Sequence, residues 1–160
     1  MNAAVEHPSL QDAFQHLKSI NRAQGPLTYK QRVKAIKALT KALTKRREAV
    51  IAAIDADFGG RSRHETLSAE IYTSVETARH TLANLRDWME NEDRPVSWIM
   101  KPSKATVIYQ PLGVVGIISP WNYPVYLAIS PIIAALSAGN RIMLKPSEIT
   151  PKTSALLVEL

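Results

Sequence analysis

The sequence predicts an α/β fold: an N-terminal pair of long helices followed by the first βαβα half of a Rossmann-like parallel sheet. Three observations carry this. Apolar residues keep helical spacing through two long stretches before residue 91. After Arg94 that spacing is lost and prolines punctuate short apolar runs. Val114 to Ser119 is then a continuous apolar run rich in β-branched residues, the pattern of a strand buried on both faces of a parallel sheet.

Residues 9 to 21 read as a weakly amphipathic helix with Leu10, Phe14 and Leu17 on one face, broken at Gly25-Pro26. Thr28 followed by Gln31 forms a capping-box pattern, after which Val33, Ile36, Leu39, Leu43, Val50, Ile51 and Ile54 predict a single helix of about seven turns. Phe58-Gly59-Gly60 should end it, since glycine takes the left-handed conformation at low cost. Ser62 with Glu65 predicts a second capping box, opening a helix through Leu67, Ile71, Val75, Ala78, Leu82, Leu85 and Met89 to about Asn91. Val96 to Met100 and Ala105 to Tyr109 suit the strands of a hairpin or extended arm. Pro124 to Ala138 reads as a helix stopped by Gly139, and Arg141 to Lys145 as a second strand of the buried type. Thr150-Pro151 supplies an N-cap and a proline at the first helical position, so Lys152 to Leu160 should open another helix.

Composition excludes several function classes. The chain has no cysteine, so neither a disulfide framework nor a thiolate metal site is available, and a cysteine nucleophile would have to come from elsewhere. His7, His16, His64 and His80 lie far apart with no ligand spacing, so no metal is expected. The longest apolar stretch, Tyr123 to Leu136, is too short for a bilayer span and holds Pro124 and Pro131. The N-terminus carries acids and no apolar core of a secretory signal, which implies a cytoplasmic protein. The net charge of +6 is concentrated: ten Lys or Arg and no acid lie between Lys18 and Arg47, leaving ten bases against fourteen acids elsewhere. Lys30, Lys34, Lys37, Lys41 and Lys45 form one helical stripe opposite the apolar face. Without interleaved aromatics it reads as a solvated face and not as a nucleic-acid site.

Ligands of open parallel sheets bind beyond the carboxyl ends of the strands. The two predicted strands end in Ser119-Pro120-Trp121-Asn122 and Lys145-Pro146-Ser147-Glu148, which adjacent parallel strands would place on one edge. An Asn122 side-chain amide can donate to a developing oxyanion, while Lys145 offers a cation and Glu148 an acceptor for ribose or phosphate oxygens. The alternative for Asn122 is a turn or helix-cap residue, since Asn before Tyr-Pro is good turn chemistry. No GxGxxG is present; Gly113 and Gly116 suit close backbone packing. These patterns alone reach a nucleotide-type α/β unit.

PLGVVGIISPWNYP, AALSAGNRIMLKPSE and the TP that follows, in that order and at those intervals, resemble the start of the cofactor domain of the NAD(P)-dependent aldehyde dehydrogenase superfamily. ADFGGRSRHETLSAEI and the helix ending LRDWM resemble its class 3 branch, in particular the coniferyl-aldehyde dehydrogenase group. The resemblance divides the chain into a helical part at 1–94, an oligomerisation arm at 95–110 and the first βαβα unit of the cofactor domain at 111–160. It implies that Asn122 contributes to the oxyanion hole of a thiohemiacetal. It also implies that Ile118, Ser119, Pro120 and Trp121 pass along the nicotinamide half of the cofactor, and that Lys145, Ser147 and Glu148 lie at the adenosine ribose. NAD and NADP both fit, because a lysine there tolerates a 2′-phosphate. The implied reaction is oxidation of a small-molecule aldehyde, coniferyl aldehyde among the candidates, to its carboxylic acid, by a homodimer in the class 3 branch.

The family's catalytic cysteine and general-base glutamate fall beyond the last residue of this sequence, as does a second nucleotide-binding glycine motif. Glu65, Glu70, Glu76, Glu90 and Glu92 match no catalytic motif. The expectation is therefore an N-terminal portion, from a fragment or truncated gene, that has no acylating activity by itself and exposes an unpaired sheet edge that impairs folding alone. The competing expectation is a non-catalytic interaction module that pairs its 95–110 arm with a full-length relative.

Overall fold

The structure, a computed structural model, describes residues 9–160; His7 and the rest of the acidic N-terminal stretch lie outside them. Ser9 caps helix α1 (Leu10–Gln24) by accepting from the Asp12 amide. Helix α2 (Tyr29–Lys45) opens with the predicted capping box: Thr28 Oγ1 accepts from Gln31 N, and Gln31 Oε1 accepts from Thr28 N at 2.8 Å. Thr28→Ala removes the first of these bonds and is expected to cost about 1 kcal/mol, read as a lower urea midpoint at unchanged slope.

The expected seven-turn helix is interrupted at Arg46 (φ −100°, ψ 17°), and α3 (Arg47–Phe58) continues beyond it. The break has a tertiary cause. Helix α2 packs against α5 (Thr73–Trp88) and α6 (Tyr126–Ser137), whereas α3 packs against α7 (Pro151–Glu159). Arg46 itself reaches Glu159 at 2.5 Å. Apolar periodicity survives the break because Ile36, Leu43, Val50 and Ile54 all enter one core. Gly59 closes α3 in the predicted left-handed conformation (φ 68°).

The next helix is composite: a short α4 (Arg63–Glu65), a π-helical segment Thr66–Tyr72, and then α5. The Ser62/Glu65 capping box does not form, because Ser62 makes no capping bond and the Glu65 carboxylate instead accepts from Arg61 at 3.0 Å. Strand β1 (Glu92–Arg94) pairs antiparallel with β2 (Ala105–Val107). Val96 to Met100, expected as a strand, holds a 3-10 turn at Trp98–Met100. Pro95 explains the shift: a proline has no N–H for the ladder, so pairing stops before it.

Strands β3 (Val114–Ile118) and β4 (Arg141–Lys145) are parallel and joined through α6, with Val114 opposite Arg141 and Ile118 opposite Lys145. Asn140 sets this register, accepting from Gly113 N at 2.9 Å through its buried Oδ1 while Arg141 N donates to Gly113 O at 2.8 Å. Burial on both faces is not observed for β3. Only Ile117 within it is buried, and Ile118 at its end is 81% exposed. Pro151 opens α7 as expected, yet Thr150 makes no side-chain cap. Asp57 of α3 takes that place, accepting from Lys152 N at 3.1 Å and Thr153 N at 2.8 Å. Lys30, Lys34, Lys37, Lys41 and Lys45 are all exposed. Among the described residues no helix is long and apolar enough to cross a membrane, and no cluster of three metal-ligating side chains occurs.

Candidate functional site

The parallel register places both polar strand ends on one edge, with Ser119 N donating to Lys145 O at 3.1 Å. Beyond β4, Lys145 Nζ pairs with the Glu148 carboxylate. That pair holds the Glu148 carboxyl below the usual carboxylate range, chiefly through its hydrogen bond to Lys145. Both side chains face solvent, so a donor and an acceptor stand side by side at the strand end. Ser147 is buried, and its Oγ accepts from Ile149 N at 3.2 Å, closing the turn into α7.

Beyond β3, Ser119 is buried with an unpartnered Oγ, Pro120 and Asn122 are exposed, and Trp121 is half-exposed. Trp121 lies 6.4 Å from the Phe58 ring, centre to centre. The helix-cap alternative for Asn122 does not hold, since α6 begins at Tyr126 and has no side-chain cap from the residues just before it. Its first amides instead meet Glu70: Oε2 accepts from Val125 N at 2.7 Å and Tyr126 N at 3.0 Å. The Asn122 backbone carbonyl accepts from Arg61 Nη1 at 2.6 Å. Arg61 is sandwiched between Phe58 and Tyr123, 4.8 and 4.5 Å from their ring centres. These residues with Gly60 and Glu65 line a depression of about 420 Å³ that opens beside Asn122.

Arg61 and Glu70 belong to this site and sequence reading missed them. A signal was available for Glu70: it lies three residues after Leu67 and four before Ser74, on the buried face of its helix. A carboxylate at a core-facing helical position requires partners. Nothing comparable marks Arg61, whose contacts with Asn122 and Tyr123 lie some sixty residues along the chain.

The βαβ crossover with two polar strand ends on one edge is the architecture of nucleotide-binding α/β proteins. Comparison with known proteins narrows this: the profile of the aldehyde dehydrogenase family matches residues 4–160, and the chain belongs to that family. It is similar to a probable coniferyl aldehyde dehydrogenase from Pseudomonas aeruginosa, 49% identical over 81% of this chain and 27% of the relative. It is also similar to a coniferyl aldehyde dehydrogenase from a Pseudomonas species, 42% identical over 99% of this chain and 32% of that protein. The chain thus spans about a third or less of these relatives' length. Class 3 members from plants and mouse follow them, among them a mouse family 3 member B3 at 35% identity over 94% of this chain. Among solved structures, substrate-bound AldH from Staphylococcus aureus superposes with a TM-score of 0.89 at 26% identity, covering 94% of this chain and 33% of that one. A succinic semialdehyde dehydrogenase from Streptococcus pyogenes, solved with NADP+, shares the fold at a TM-score of 0.81 and 16% identity. The family comprises oxidoreductases acting on aldehydes.

Proposed function

We propose that this chain forms the N-terminal part of an NAD(P)+-dependent aldehyde dehydrogenase that oxidises an aldehyde, aromatic and coniferyl-like, to its carboxylic acid. The observation that carries this is the β3–β4 register in a chain of that family, which puts Ser119 to Asn122 and Lys145 to Glu148 on one sheet edge. The residues present fit a dinucleotide. Lys145 and Glu148 offer an exposed donor and acceptor matched to a ribose diol, and Ser119 keeps a buried hydroxyl without a partner at the strand end. In this reading Lys145, Ser147 and Glu148 hold the adenosine ribose, while Ile118, Ser119, Pro120 and Trp121 border the nicotinamide half. The bound cofactor supplies the hydride acceptor. Asn122 donates its side-chain amide to the oxygen on which charge develops as the aldehyde is attacked. The nucleophilic cysteine and the glutamate base belong to the remainder of the family polypeptide. A homodimer in the cytoplasm completes the reading.

Cofactor binding is tested by titrating the chain with NAD+ and with NADP+ while following tryptophan fluorescence. A saturable change that disappears in Trp121→Phe and weakens about tenfold in Lys145→Ala is expected, one lost charge-assisted contact being worth about 1.5 kcal/mol. The absence of any saturable change with either cofactor would sink the assignment of the strand-end residues.

A second reading is favoured by one feature. Trp98, Ile99, Met100, Ile108 and Tyr109, around the β1–β2 arm, are all more than half exposed. Such a patch suits pairing with a full-length relative, so that the chain acts as a non-catalytic interaction module. Co-expression with such a relative and size exclusion should then yield a mixed complex.

A further inference from the structure

Glu70 is a fully buried carboxylate for which the oxidation reaction itself has no use. It lies within the π-helical segment Thr66–Tyr72, whose last carbonyls also accept side-chain hydroxyls: Ser74 Oγ donates to Glu70 O at 2.5 Å and Thr73 Oγ1 to Ala69 O at 2.6 Å. Glu70 Oε2 is occupied by the Val125 and Tyr126 amides. Oε1 makes no hydrogen bond and sits 3.5 Å from Arg61 Nη1, an ion pair by charge alone. The same Nη1 donates to the Asn122 carbonyl. One buried pair therefore grips the turn twice, at Asn122 through the cation and at Val125 and Tyr126 through the anion.

We propose that Glu70 and Arg61 are positioning residues for the Asn122 amide, an electrostatic clamp that orients the turn between β3 and α6. The inference rests on the oxyanion reading of Asn122 for its catalytic meaning, though the clamp itself is a physical coupling independent of it. The aromatic sandwich of Phe58 and Tyr123 limits the guanidinium to one plane. A carboxylate at the first amides of α6 also complements the positive end of that helix. Only the ionised form attracts Arg61, so protonation of Glu70 leaves the cation to Glu65, 3.0 Å away, and to the two rings, and loosens its hold on the Asn122 carbonyl.

Burial pushes the Glu70 carboxyl above the ordinary glutamate range; the Tyr126 and Val125 amides and Arg61 oppose that shift, and Glu65 adds to it. Tyr126 is the sole ionisable residue within α6. On α3, Asp57 is engaged by the α7 amides, and on α5, Glu76 is paired with Arg79. With the folded value raised, protonation favours the folded state fully below the unfolded glutamate value, and that contribution is lost as pH rises through the folded one. The clamp runs the opposite way, engaged above the folded value and loosened below it.

The test is a pH titration of the isotopically labelled chain by NMR, following the Val125 and Tyr126 backbone amides and the Asn122 side-chain amide. All three are expected to shift with one common midpoint above that of ordinary glutamates. In Glu70→Gln the shared midpoint should vanish from all three. In Arg61→Lys the Val125 and Tyr126 amides should still titrate while Asn122 ceases to follow, a separation that helix capping alone does not produce. If Asn122 stays unmoved in the parent chain while Val125 and Tyr126 titrate, Glu70 is a helix cap and the proposal is overturned. This readout involves neither cofactor nor aldehyde, so its failure is distinct from failure of the dehydrogenase reading.

Discussion

If Asn122 is the oxyanion donor proposed above, Asn122→Ala in a full-length aldehyde dehydrogenase carrying this segment is expected to lower kcat by about 10²–10³, with cofactor affinity unchanged. The magnitude follows from the loss of one preorganised oxyanion donor, worth about 2.7–4 kcal/mol. Three features make the substitution a clean one. Asn122 is exposed, its side chain does not cap α6, and its structural contact is through the backbone carbonyl to Arg61 at 2.6 Å. Alanine keeps that carbonyl. Stability should therefore change little while the chemical step slows, and equal losses in kcat and in unfolding midpoint would count against the assigned role. Steady-state kinetics beside thermal unfolding of the same preparations separates the two outcomes.

Gly139→Ala should produce the largest loss of stability of any glycine substitution, about 3 kcal/mol or more. Gly139 has φ 88°, a region in which a side chain costs about 1–3 kcal/mol. A Cβ there would meet Arg32 Nη2 at 2.5 Å, its Cζ at 2.7 Å and Pro111 Cγ at 3.0 Å. The tip of an arginine is ordinarily free to move aside. This one is not, because its Nε donates to Leu27 O at 2.7 Å and its Nη1 to Ser137 O at 2.8 Å, within a residue only 8% exposed. Displacing it forfeits hydrogen bonds from a charged donor, worth about 1.5–3 kcal/mol, and uncaps the end of α6 where the chain turns into β4. Gly60→Ala is the control. Its φ of 129° is also unfavourable, yet nothing lies within 4 Å of a Cβ, so only backbone strain is added. Urea midpoints should fall well below the parent for Gly139→Ala and by the smaller amount for Gly60→Ala, and equal shifts would remove the steric part of the account.

Local rules made much of the architecture legible. Thr28 with Gln31, Gly59 and Pro151 act within a few residues of themselves, and each appears in the structure where its chemistry requires it. The β3 and β4 segments were readable from apolar runs, and their register then brings the two polar ends together. The misses share a different character. Ser62 and Thr150 have the composition of N-caps but make no capping bond, and the α7 amides that Thr150 would have served go to Asp57, more than ninety residues away in sequence. Helix periodicity passed through Arg46 unchanged because the pattern records which residues face the core, not whether the axis between them is continuous. Pairing of the arm moved to Glu92–Arg94 because the proline after it, and not the apolar content of Val96 to Met100, governed the ladder.

Sequence alone determined the family, through three ordered motifs, together with the helix-then-sheet order and the two polar clusters at the strand ends. Only the tertiary structure decided what holds those clusters in place. Glu70 reaches the amides of α6, Asp57 those of α7, and Arg61 the carbonyl of Asn122, each from a distant helix or loop. The reason is physical: the first turn of a helix needs acceptors within hydrogen-bond distance, and any part of a folded chain can supply them. A sequence displays only the near candidates, whereas packing selects among all of them.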